Sequence, residues 1–400
     1  MTDYNGTGDS TLGRGRPHLS PAHWLLGLFS LALRSSGELT RVVGEMHHTW
    51  RDTPLPWDKS HQADISRAPK PYLLIKLLFE HSANKLHKAL DMVPATERVS
   101  QPLHRVRSAM NGVFGDKLVE WDHPLAVPME LVDEHGHDVL LPELQSASPQ
   151  GVVLFIHGLC LSEGDWQGHH HSLFVERLRQ QGYGVAWLRY NTGLPIWKNG
   201  ELLDRLLTAN WNSVDDKQLL LMGHSMGGLV IRSACHYAQQ SQPQSSQWLS
   251  ALSHAAYIAS PHDGAPMEKI GNLANSLLGV TPYARPLMAL GNIRSLGIRS
   301  LRHANVTPPH DDSHQQRPLP VYEGCEHLLI GARRFYEPGQ RWLGDGLVPE
   351  ESAMGGPHFP RTHPKVQRHM LDDVGHITLL KDARLYESLQ QWLDQNSNAI

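Results

Sequence analysis

The 400-residue chain reads as an α/β protein, a mainly parallel sheet with helices on both faces. Three observations predict this class. From residue 151 onward, short apolar runs alternate with amphipathic stretches, the order from which strand–helix–strand units are built. Gly151-Val152-Val153-Leu154-Phe155-Ile156 is apolar without alternation and rich in β-branched residues, as a strand covered on both faces must be. Residues 217–228 (Lys-Gln-Leu-Leu-Leu-Met-Gly-His-Ser-Met-Gly-Gly) run from an apolar strand through a glycine-flanked turn into a helix.

The elements follow in chain order. Residues 1–20 are rich in Gly, Ser and Thr and read as a disordered leader. Apolar spacing predicts helices within 21–50 and 71–92, separated by a stretch that Pro54, Pro56, Pro69 and Pro71 break. Together they suggest a helical N-terminal extension over 21–121, with the α/β domain in 122–400. Alternation around Glu134-His135-Gly136-His137 predicts an antiparallel hairpin within 125–144. Strands are expected at 151–157, 183–190, 217–223, 254–260 and 326–332. Helices are expected at 172–181, 199–210, 227–239 and 382–395. Residues 265–320 interrupt this order with Met267, Ile270, Leu273, Leu277, Leu278, Leu287 and Leu290, then a Pro/His-rich stretch at 307–320. The insertion reads as a cap whose apolar residues line a pocket, or as a pair of helices packed on the body.

The turn at Ser225 carries the chemistry. Gly223-His224-Ser225-Met226-Gly227 is a G-x-S-x-G sequence between strand and helix. Such a turn forces the serine out of regular backbone geometry and exposes its hydroxyl at the carboxyl edge of the sheet. Ser225 is the candidate nucleophile; the alternative is a structural serine at a strand–turn–helix junction. After the strand at 151–156, Gly158 in His157-Gly158-Leu159-Cys160 frees the backbone to turn an amide into the site. The N–H groups of Leu159 and Met226 are candidates to hold a tetrahedral oxyanion. Otherwise His157-Gly158 simply ends a strand.

A base and an acid should follow the serine along the chain. His376 lies in the loop Asp372-Asp373-Val374-Gly375-His376, just before a last amphipathic helix carrying Leu385, Leu389 and Trp392. A neutral imidazole there could take the serine proton and later return it to a leaving group. Asp345, between Gly344 and Gly346, sits in a tight loop after the strand near Glu326–Gly331 and could face the histidine Nδ1. Asp263 and the Asp372-Asp373 pair are the rival acids.

With these motifs on the page, the chain resembles the bacterial lipase/esterase-type α/β-hydrolases, near the GPI inositol-deacylase-like lipases. Further stretches share the likeness: Arg189-Tyr190-Asn191-Thr192-Gly193, Ile258-Ala259-Ser260-Pro261-His262-Asp263-Gly264-Ala265-Pro266 and Asn111-Gly112-Val113-Phe114-Gly115-Asp116. The resemblance covers most of residues 105–395 and implies an α/β-hydrolase fold that cleaves carboxylic esters. One departure is Ser260-Pro261-His262-Asp263-Gly264, where such lipases more often carry Thr-Pro-His-His/Arg-Gly; it bears on acyl preference. Two other readings stay open, an acyltransferase using the same residues and a non-catalytic binding protein on a hydrolase scaffold.

Composition narrows the partners. A formal charge of −4 provides no broad basic field, which argues against nucleic acid; the resemblance implies a small-molecule or lipid ester as the substrate. Cys160, Cys235 and Cys325 are widely spaced, with no C-x-x-C, so they read as buried small apolar residues. His169-His170-His171 cannot all converge on one ion and reads as a polar loop leading into a helix, so no metal and no cofactor is expected. No stretch reaches the length of a membrane span. The apolar run Trp24–Leu33 could be a signal segment, a packed helix or an interfacial helix in transient contact with a membrane surface. Its continuation through Leu39, Val42, Val43 and Met46 favours the packed helix and a cytoplasmic protein.

Overall fold

A computed structural model describes residues 101–397 except 213–216, 242–245, 268, 274–294, 310–318 and 335–343, together with helical positions 27, 30, 33, 34, 77, 78, 81 and 82. The leader 1–20, most of the helices expected within 21–50 and 71–92, and Leu277, Leu278, Leu287 and Leu290 of the expected cap lie outside these residues.

Among the described residues the strands pair into one seven-stranded sheet in the order β1-β3-β2-β4-β5-β6-β7. The strands are β1 (Glu130–Val132), β2 (Gly151–Ile156), β3 (Tyr183–Arg189), β4 (Gln218–His224), β5 (Leu252–Ile258), β6 (Glu326–Arg333) and β7 (Val366–Asp372). Only β1 runs antiparallel, against β3; the other pairs are parallel. Register aligns Ile156 with Gly223 and Ile258 with His224 and Ile330, so the loops after β2, β4, β5 and β6 leave one edge together.

Each central strand serves two cores because successive side chains point to opposite faces. Val152, Leu154, Ile156, Leu219 and Leu221 join one buried cluster, while Val153, Phe155, Leu220 and Met222 join the other. That is why these strands read as unbroken apolar runs. The first face is covered by α1 (Gln101–Glu120), α4 (Ile196–Asn210) and α5 (Met226–Gln240). The second is covered by α3 (His169–Gln180) and α9 (Ala383–Ser397). Shorter helices α2 (Leu141–Ala147), α6 (Gln247–Ala251), α7 (Leu296–Arg302) and α8 (Glu350–Ala353) complete the described elements.

Helix α1 buries Val106, Met110, Phe114 and Leu118 at helical spacing in the first core. Its Asn111 is clamped to the chain before β1, donating to the carbonyl of Leu125 and accepting from the amide of Val127. Asn191, just after β3, donates to the carbonyl of Gly115. The Asn111–Asp116 stretch therefore fastens the helix to the loops at the carboxyl edge of the sheet.

Several boundaries differ from expectation. The hairpin within 125–144 is reduced to one bridge, Val132 with Asp138, because Leu141–Ala147 is helical with proline in its first turn. His169–His171 form the first turn of α3 rather than a loop, and His171 is buried among aromatic rings. Strand β7 was not expected. It is an edge strand of mixed composition, Val-Gln-Arg-His-Met-Leu-Asp, half-buried throughout, so neither alternation nor an apolar run betrays it. Of the expected cap, Met267, Ile270 and Leu273 pack on the first core. Among the described residues no helix is long and apolar enough to cross a membrane.

Candidate active site

Ser225 sits between the last residue of β4 and the first of α5 with φ 54° and ψ −122°. The strained geometry is held from both sides. Its amide donates to the carbonyl of Ile258 at 2.8 Å, and its own carbonyl accepts from Gly228 at 3.2 Å. The flanking glycines are required by contact: a Cβ on Gly223 would lie 2.5 Å from the Gly228 nitrogen, and one on Gly227 would overlap the Ile156 carbonyl. Strand β2 and helix α5 pass each other with no room for a side chain.

The structure brings Ser225, His376 and Asp345 together from three loops at the carboxyl edge. His376 Nε2 lies 2.9 Å from Ser225 Oγ, and its Nδ1 lies 2.7 Å from Asp345 Oδ2. The other carboxylate oxygen of Asp345 accepts the amides of Leu347 at 2.9 Å and Val348 at 2.8 Å. Burial pushes the Asp345 carboxyl up, yet His376 and the two amides outweigh it and hold the group below the usual carboxylate range. Gly344, at φ 57°, supplies the left-handed turn on which the loop depends. All three side chains are enclosed, with Ser225 2%, His376 5% and Asp345 1% exposed.

Among the described residues none of the rival acids is bonded to His376. Asp263 is exposed, and its amide is bonded to Ser352 Oγ. Asp372, at the end of β7, forms an ion pair with Arg333, and Asp373 is exposed.

Gly158 runs alongside the serine: a Cβ there would lie 2.9 Å from the Ser225 Cβ. Leu159 follows it, buried, in a loop tied down by the segment after β3. Tyr190 donates its hydroxyl to the His157 carbonyl at 2.6 Å, and the Cys160 amide donates to Thr192 Oγ1 at 3.1 Å. Met226 opens α5, so its amide belongs to the first turn, whose N–H groups have no partner within the helix. Burial pushes the Cys160 thiol up to about 12, which keeps it protonated near neutral pH.

His262, in the Ser260–Gly264 segment, is buried beneath the edge with Nδ1 3.4 Å from Arg232 Nη1. Trp166 is fully buried against Phe155 in the second core. Among the described residues no group of His, Cys, Asp and Glu is arranged to hold a metal ion.

One neighbour of the site went unread in the sequence. His224 is fully buried, its ring 4.9 Å from that of His376, and its Nε2–H donates to the His376 carbonyl at 3.1 Å. Strand alternation carried the signal: Leu220, Met222 and His224 share a face of β4, which puts a polar ring where the last loop must pack.

Residues 146–320 match a family model described as "Putative serine esterase (DUF676)". Among solved structures, the chain is similar to the mature form of lipase BlEst2 from Bacillus licheniformis, at 16% identity over 66% of this chain and 97% of that one, with a TM-score of 0.40. It is similar to alpha/beta hydrolase domain-containing protein 10 from mouse at 14% identity, over 67% of this chain and 94% of that one, with a TM-score of 0.39. It is also similar to esterase RhEst1 from Rhodococcus sp. ECU1013 at 15% identity, over 61% and 90% respectively, with a TM-score of 0.37. No curated protein matches. The mainly parallel sheet edged by one antiparallel strand, with helices on both faces and a serine at the turn after β4, is an α/β-hydrolase fold, and residues 146–320 of it are similar to the serine-esterase family model.

Proposed function

We propose that the protein hydrolyses carboxylic esters through Ser225, His376 and Asp345. The observation that supports this most is an imidazole whose two nitrogens are both engaged, one by the serine hydroxyl and the other by a buried carboxylate. As Ser225 Oγ attacks the ester carbonyl, its proton passes to His376 Nε2. Asp345 fixes the tautomer with the proton on Nδ1 and offsets the charge that forms on the ring. The amides of Leu159 and Met226 stabilise the oxyanion. Collapse of the tetrahedral species breaks the bond to the alcohol, which takes the proton from His376 and leaves an acyl-serine. Water, deprotonated by His376, then attacks the acyl carbon and releases the acid and the free serine. A small-molecule ester is the proposed substrate.

The test is covalent. A fluorophosphonate should add one label per chain, mapped by mass spectrometry to Ser225, and the label should block hydrolysis of p-nitrophenyl esters. A label on another serine, or hydrolysis that survives stoichiometric labelling, overturns the reading.

A further inference from the structure

We infer that His224 is the positioning residue of this site, holding the main chain of His376 so that its imidazole meets Ser225. The inference rests on the hydrolase reading above and adds to it a residue outside the three reacting groups.

Two consecutive residues of one strand end grip opposite ends of His376. Ser225 meets its side chain at 2.9 Å, and the His224 N–H meets its carbonyl at 3.1 Å. A base carried on a loop can drift relative to a nucleophile carried on the sheet; a second tie from the same strand removes that freedom. His376 is otherwise held from the side of the acid, by its amide to the Asp345 carbonyl at 3.2 Å. Without His224, the described polar contacts of His376 to the nucleophile strand reduce to the reacting hydroxyl itself.

The ring is suited to this task. A donor on Nε2 leaves Nδ1 as the bare nitrogen, and that atom is buried without a partner among the described residues. It lies 3.3 Å from where a Cβ on Gly158 would stand, so the same ring also abuts the oxyanion loop. Burial, reinforced by the neighbouring His376, lowers its pKa to about 3. His224 thus stays neutral across the working range and sets no positive charge beside His376 when that ring becomes an imidazolium.

The experiment compares His224→Gln with His224→Phe in the full chain. Glutamine carries an N–H donor the same number of bonds from Cα as the histidine Nε2; phenylalanine fills the ring space without one. A misplaced base lowers kcat by about tenfold to a hundredfold with KM little changed. That is the expected result for His224→Phe, with fluorophosphonate labelling slowed in proportion but complete at long times. His224→Gln should recover kcat to within about threefold, a small cost beside the effect of displacing the base. Wild-type kcat in His224→Phe, or equal losses in both variants, overturns the inference. So does a loss confined to the fraction of labelled sites. If His224→Phe does not fold, His224→Asn replaces it, since its amide falls one bond short; equal activity of Asn and Gln variants then overturns the inference. Failure of the hydrolase reading looks different: the wild-type chain itself would take no label at Ser225.

Discussion

Asp345 and His376 are bonded twice, side chain to side chain through Nδ1–H and Oδ2 at 2.7 Å and main chain to main chain through the His376 amide and the Asp345 carbonyl at 3.2 Å. Asp345 therefore fixes both the place of the His376 ring and its tautomer. An asparagine in its place would keep the main-chain bond but offer an amide to Nδ1, favouring the wrong ring proton. Asp345→Asn should lower kcat by about a thousandfold to ten-thousandfold, with the fold intact. Asp263→Asn, at an exposed side chain, should leave kcat within about twofold, as surface changes away from such features do. Steady-state kinetics on both variants decide the matter; the reverse pattern transfers the role of acid to Asp263.

The elbow makes a prediction about packing alone. A Cβ on Gly227 would overlap the Ile156 carbonyl and crowd that of His157, backbone atoms of a central strand that cannot swing aside. Gly227→Ala should destabilise the protein by about 2 kcal/mol or more and displace Ser225 with the helix. Urea unfolding measures the first effect and the labelling rate the second. An alanine variant of native stability would mean that β2 and α5 are not in this contact.

Much of this was legible in the sequence, and the reason is local. Ser225 is set by glycines two residues to either side, and Asp345 by glycines adjacent to it, so short-range steric demands write themselves into short motifs. The central strands were legible because burial on both faces leaves only apolar residues. Strand β7 was not, because an edge strand half-open to solvent carries no such constraint. The role of His224 was not legible either. Its partner is 152 residues away, and strand alternation says which face a ring occupies but not which carbonyl it will meet.

The loop after β2 depends on a buried ion pair. Arg189, at the end of β3, pairs with Glu163 and with Glu130 Oε1 at 2.9 Å, and it reaches the Gly136 carbonyl at 3.3 Å. Removing one partner strands the other charge away from water. Arg189→Met should cost about 3–5 kcal/mol, and adding Glu163→Gln should recover at least about half of that by neutralising the more buried of the two orphaned carboxylates. Unfolding of the two variants in urea tests this. If the double variant is as unstable as the single one, loss of packing and not an uncompensated charge explains the damage.

His171 predicts how stability responds to acid. Its ring is buried beside Phe155, Trp166, Trp187 and Tyr386, and among the described residues neither nitrogen has a partner. Burial lowers its pKa to about 3. In the unfolded chain the same group titrates near about 6.5. Between those values the unfolded state holds the extra proton, so the folded state is fully favoured above about pH 6.5 and loses about 1.4 kcal/mol for each further pH unit of acidification. His224, also lowered to about 3, adds a second contribution of the same sign. His171→Phe keeps an aromatic ring in the cluster and removes the contribution of His171 alone. Relative to the wild type, it should therefore gain about 2 kcal/mol more at pH 5 than at pH 8, the product of 1.5 pH units and the slope for one histidine. Urea unfolding of both proteins at the two pH values gives the difference directly. Stabilities that fall in parallel would mean that His171 takes up its proton in the folded state, with solvent or a partner reaching the ring.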